Sequence, residues 1–161
     1  MTLQPINRER LQQLANYLES LPKSYKHFGM TDYLEPSLDA EKSLKDYALN
    51  NGGVASCGTA ACAVGHGPAA GIYVPRHLIM ADWAVDWNRY ALLFTGQHHV
   101  MESLWHWMFS GAWDDVDNHH WGAAARIRYV LADKPIPEDC YEPRRGHRKL
   151  YREFDKRYVV A

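Results

Sequence analysis

Apolar residues recur along this chain at intervals of three and four and seldom alternate, so the pattern predicts helices and little strand. Leu11, Leu14, Leu18 and Leu21 form the first such face, between Pro5 and Pro22. Asn7 reads as its N-cap and Ile6 as a staple onto Leu11. Trp87, Tyr90, Ala91 and Phe94 stand at i, i+3, i+4 and i+7 ahead of Gly96, a stop signal. Val100 or Met101, Leu104, Trp105 and Met108 mark another helix closed by Gly111. Asp117 or Asn118 reads as the cap of a further one, which carries Ala124, Ile127 and Leu131 and ends at Lys134-Pro135. A more polar helix follows Ser37 and stops at Asn50-Asn51-Gly52-Gly53. Residues 23–36, 72–75 and 136–143 lack a sustained period and read as loops or extended connectors.

Between the double glycine and Gly71 lies a run of small residues, with Thr59 as a cap and Ala60, Ala61, Ala63 and Gly65 offering close approach to neighbours. The expected architecture is mainly α: a compact bundle of five or six short helices around this small-residue central helix, with little or no strand. Residues 1–143 form one globular helical domain. Residues 144–161 form a basic C-terminal helix or tail docked on it: Leu150, Phe154 and Tyr158 recur at a spacing of four that suits a final helix, and the interleaved Tyr151, Phe154 and Tyr158 favour docking over a free arm.

Composition adds three constraints. A chain of 161 residues with 47% hydrophobic and 23% charged residues is ordinary for one folded domain. The net charge of −1 excludes a protein that grips nucleic acid by overall basicity, yet it hides a split. Residues 144–161 carry seven basic and two acidic residues, +5, against −6 elsewhere. No apolar stretch reaches the length of a membrane span, no signal peptide is visible at the start, and three cysteines suit reduced thiols; the expected location is cytoplasmic, with no membrane partner.

The segment Cys57-Gly58-Thr59-Ala60-Ala61-Cys62-Ala63-Val64-Gly65-His66 resembles a group of small proteins of bacteria and their phages that share a Cys-Gly-Thr-x-x-Cys-x-x-Gly core. The matching flanks are Arg10 to Leu21, Trp105 to Trp113, and Asp117-Asn118 leading into Gly122 to Leu131, so the resemblance covers about residues 6 to 137. It implies a related fold and a mobile-element origin. It brings no chemistry with it.

Three kinds of site chemistry are compatible with the residues. Cys62 or Cys57, near a helix start, with His66 as base, is the pairing a thiol hydrolase or transferase would need; the same pattern describes a small buried structural helix. Metal binding lacks support, because the spacing C-x4-C-x3-H has no second ligand pair and His98-His99 and His119-His120 are adjacent pairs, so neither metal nor cofactor is expected. All six tryptophans fall between Trp83 and Trp121. Trp105, Trp113 and Trp121 are candidate walls of a ligand pocket, with Arg126 and Arg128 for phosphates and Asp117 and Asn118 as polar contacts.

The leading expectation is a non-catalytic binding protein of phage or mobile-element type that captures a nucleotide-like ligand or a host protein. The alternatives are the thiol enzyme and an interaction module. The latter would bind an acidic partner or nucleic acid through Arg144, Arg145, Arg148, Lys149 and Arg152.

Overall fold

Helix α1 follows the leucine pattern closely. In the computed structural model, which describes residues 3–30, 62–80, 85–96 and 102–158, α1 spans Pro5–Ser20 and buries Leu11, Leu14, Ala15 and Leu18. Pro5 takes the first helical position, where its missing N–H has no role to fill. Asn7 is not the cap. It lies in the first turn, buried, and its Nδ2 donates to the Leu93 carbonyl at 2.9 Å, tying α1 to the next helix. The expected staple residue Ile6 is 49% exposed.

Helix α2 (Trp87–Thr95) begins where the Asp86 carboxylate accepts from the Arg89 N–H. It ends at Gly96, whose φ of +64° is the left-handed conformation that glycine adopts without strain. Helix α3 (Ser103–Phe109), a 3-10 turn (Gly111–Trp113), one-turn α4 (Asp114–Asp117) and α5 (His120–Leu131) follow in close order. A 3-10 turn (Arg145–His147), α6 (Arg148–Tyr151) and a second 3-10 turn (Arg152–Phe154) form one continuous helical stretch near the end. Among the described residues strand-like pairing is limited to isolated bridges, such as that between Ile79 and Val85. None of the helices among them is long and apolar enough to cross a membrane.

Helix α5 is the centre of this arrangement. Gly122, Ala123, Ala124, Ala125, Arg126 and Ile127 are buried in succession, so every side of the helix is covered. Its small side chains let α1 lie along it, while α3 and α6 pack elsewhere on its surface. The segment Cys62 to Pro68 is also buried throughout, with a single 3-10 turn at Val64–His66. The expected Thr59 cap, Cys57, Trp83, His98-His99 and the helix after Ser37 lie outside the described residues.

The basic C-terminal stretch packs on the domain through Tyr151, as expected, with Phe154 half-buried against Tyr129, whereas Tyr158 stays outside. Leu150 and Tyr158 are 42% and 39% exposed, whereas His147, Tyr151 and Asp155 point inward. Tyr151 meets Trp107 and Trp113 edge-on, at ring centroid distances of 5.9 and 5.8 Å, and those two indoles meet each other at 5.5 Å. The aromatic cluster and the buried charges opposite seat His147, Tyr151 and Asp155 on the body.

Candidate functional site

With His147 and Tyr151 turned inward, the opposite face of the same helical stretch is cationic. Arg145, Arg148, Lys149 and Arg152 stand at i, i+3, i+4 and i+7 and, with Tyr158, line a cleft of about 220 Å³. Arg148 donates to the Tyr158 hydroxyl at 2.5 Å, and the Arg152 guanidinium lies 4.8 Å from the centre of the same ring. Among the described residues no carboxylate comes within 4.0 Å of any of these four cations. Their neighbours, by contrast, are paired: Arg144 with Glu142 at 3.3 Å, Lys134 with Glu153 at 3.3 Å and Lys156 with Glu19 at 3.2 Å. Four unneutralised cations on one face attract anions, and arginine forks suit phosphate oxygens in particular.

The stripe is held in place from both ends. At its start, His147 Nδ1 accepts the Arg144 N–H at 3.1 Å, which leaves Nε2 to donate to Asp139 at 3.0 Å. At its far end, Arg157 donates through Nη2 to both Asp117 oxygens at 2.8 and 3.1 Å, and through Nε to both Asp155 oxygens at 2.9 and 3.0 Å. The Tyr151 hydroxyl also donates to Asp117, at 2.9 Å. Burial alone would raise the pKa of Asp117. The Arg157 hydrogen bonds and the charges of Arg126 and Arg157 outweigh it, so the carboxyl titrates below its ordinary value. Gly122 makes room for this group, since a Cβ there would stand 2.1 Å from Asp117 Oδ2.

Arg126 completes the buried network in an unusual way. Its guanidinium is fully buried over the Trp113 ring, 4.2 Å from the centroid. It approaches Asp117 Oδ2 only to 3.9 Å, and among the described residues none of its three side-chain nitrogens meets an acceptor with hydrogen-bond geometry. Burial pulls its pKa down.

The residues expected to form an aromatic pocket are therefore distributed over several environments. Asp117, Arg126 and Trp113 do come together, but sealed from solvent. Arg128 donates to Glu19 at 2.8 and 3.0 Å and to Asn16 at 2.7 Å, and so joins α5 to α1. Asn118 accepts the Met30 N–H at 2.7 Å. Trp121 lies half-buried against His120 beneath Lys23, while half-buried Trp105 packs on His106. Of the five basic residues singled out in the sequence, all but Arg144 line the cleft.

His66 is oriented away from the role of a thiol base. Its Nδ1 donates to the Cys62 carbonyl at 2.8 Å, so Nε2 is the acceptor for the Tyr25 hydroxyl at 3.0 Å. Burial pushes its pKa down to about 4, which keeps the ring neutral. Cys62 itself is 1% exposed. No group of three metal-ligating side chains occurs among the described residues.

Comparison with protein-family models, with curated proteins and with solved structures finds no match. The chemistry of the cleft is accordingly argued from its own residues. Sequence reasoning misplaces one of them, Tyr158, which it puts on the docked side. The spacing of the other four was already visible in the chain.

Proposed function

We propose that the protein is a non-catalytic binding protein that captures a small, multiply phosphorylated, nucleotide-like ligand in the basic cleft. The observation that carries this reading is the convergence of Arg145, Arg148, Lys149 and Arg152, all without carboxylate partners among the described residues, on Tyr158 in a space of about 220 Å³. That space suits a few phosphate groups better than a long polymer, being smaller than the roughly 300–1,000 Å³ common for drug-sized ligands. The negative body around a +5 segment points the same way, because a long duplex laid across the molecule meets repulsion beyond the stripe. A mobile-element origin, as suggested by the Cys-Gly-Thr core, gives such capture a use in withholding a nucleotide from the host.

The reading is tested by thermal unfolding in low salt with nucleoside mono-, di- and triphosphates, and with single-stranded oligonucleotides of increasing length. Saturation with a ligand at about a hundred times its dissociation constant stabilises by about 2.7 kcal/mol, a shift of several degrees for a domain of this size. Stabilisation that rises with phosphate number and fades with added salt is expected. A flat response across the panel overturns the proposal. So does an affinity that climbs with strand length, which would identify a nucleic-acid surface instead.

A further inference from the structure

Arg157 belongs to two systems at once. Its Nε and Nη2 are committed to Asp155 and Asp117 on the buried side, while its guanidinium carbon lies 5.9 Å from the centre of the Tyr158 ring, the wall of the cleft. Its side chain retains 18% exposure. Behind it sits Arg126, 3.9 Å from the same Asp117 oxygen and, among the described residues, without a geometric hydrogen bond on any nitrogen. The buried charges are thus unevenly shared: Arg157 holds both carboxylates, and Arg126 holds neither within hydrogen-bond distance.

We infer that Arg157 is a fifth ligand-binding cation, drawn from Asp117 toward the cleft by a polyphosphate, with Arg126 taking its place on Asp117. This rests on the cleft being a phosphate site, as proposed above. Removing a partner from a buried carboxylate is ordinarily costly, about 3–5 kcal/mol, because the charge is left uncompensated. Here a second guanidinium is already within one small rotation of that carboxylate. The exchange keeps Asp117 ionised and paired and gives Arg126 hydrogen bonds to a carboxylate, while Arg157 gives up its Nη2 contacts to Asp117 and to Asp155 Oδ2 in return for the phosphate oxygens. A single phosphate offers little beyond what the four stripe cations already bind. A diphosphate carries further charge and reaches farther, so Arg157 is the residue that separates the two.

The test uses inorganic phosphate and pyrophosphate with the full chain. In calorimetric titrations the wild type is expected to prefer pyrophosphate by about tenfold or more, the worth of one charge-assisted hydrogen-bonding contact, and Arg157→Gln to lose most of that preference while phosphate binding stays within about threefold. Because the substitution also loosens the buried network, the wild type provides a second readout: side-chain nitrogen NMR of arginine Nε. Pyrophosphate is expected to shift the Arg126 and Arg157 resonances together, and phosphate to shift neither. Pyrophosphate binding that leaves Arg126 and Arg157 unmoved overturns the exchange while leaving the cleft as the site. Absence of binding by both anions overturns the cleft reading and the exchange with it.

Discussion

His66 shows how burial dictates what a single residue can do. Sealed under Tyr17, Tyr25 and Phe28, with both ring nitrogens engaged, it stays neutral down to about pH 4. In the unfolded chain the same imidazole takes up its proton near pH 6.5. Between those values the unfolded state binds more protons, so the contribution of His66 to stability is complete above pH 6.5 and is lost as the pH falls toward 4. Acidification from pH 7 to pH 5 is expected to remove about 2 kcal/mol through this residue alone. Urea unfolding at the two pH values measures it, and His66→Gln is the comparison. A pH slope unchanged in the variant means that His66 is not its source. His120, whose burial likewise lowers its pKa, adds a smaller slope of the same sign.

At the scale of the element, the helical stretch from Arg145 to Phe154 works because its two faces differ. The inner face is anchored by Tyr151, wholly buried between Trp107 and Trp113, and the outer face presents the cations. Tyr151→Ala is therefore expected to destabilise the protein by about 3–5 kcal/mol, the range for deleting a buried large aromatic, and also to weaken anion binding although no cation is touched. Denaturant unfolding and a nucleotide titration of the same variant check both effects; binding that survives intact would show that the cations act without the scaffold. Much of this layer was legible in the chain. Helices α1, α2, α3 and α5 have sustained apolar periods, and Pro22, Gly96 and Pro135 stop theirs through local backbone chemistry, whereas α3 ends at Ser110 and the expected stop Gly111 opens the next turn. What was not legible depends on partners distant in sequence. Asn7 can cap or cross-link, and the Leu93 carbonyl opposite it decides. The final stretch carries apolar side chains at 150, 154 and 158 and an equally periodic set at 147, 151 and 155; the indoles and the Arg126–Asp117 pair bury the second fully, and of the first only Phe154 reaches the core.

Across the whole molecule, near-neutral charge conceals a division of labour. In the last segment Arg144, Lys156 and Arg157 are neutralised by Glu142, by Glu19 and by the Asp117–Asp155 pair, whereas Arg145, Arg148, Lys149 and Arg152 have no carboxylate partner among the described residues. Cys62, His66, Trp107 and Trp113 are spent on packing, all 1% exposed or less. The richness of the sequence in tryptophan drew attention to a pocket among the rings, whereas the cations that the fold leaves unpaired gather on the opposite side of Tyr151. Amide-proton NMR of the full chain titrated with a nucleoside triphosphate in low salt tests this assignment most directly. The expected result is a saturable set of shifts centred on residues 145–158, with the amides of Cys62 to Gly71 and of Trp105 and Trp121 unmoved. Saturable shifts centred on those latter residues, with 145–158 silent, would contradict it.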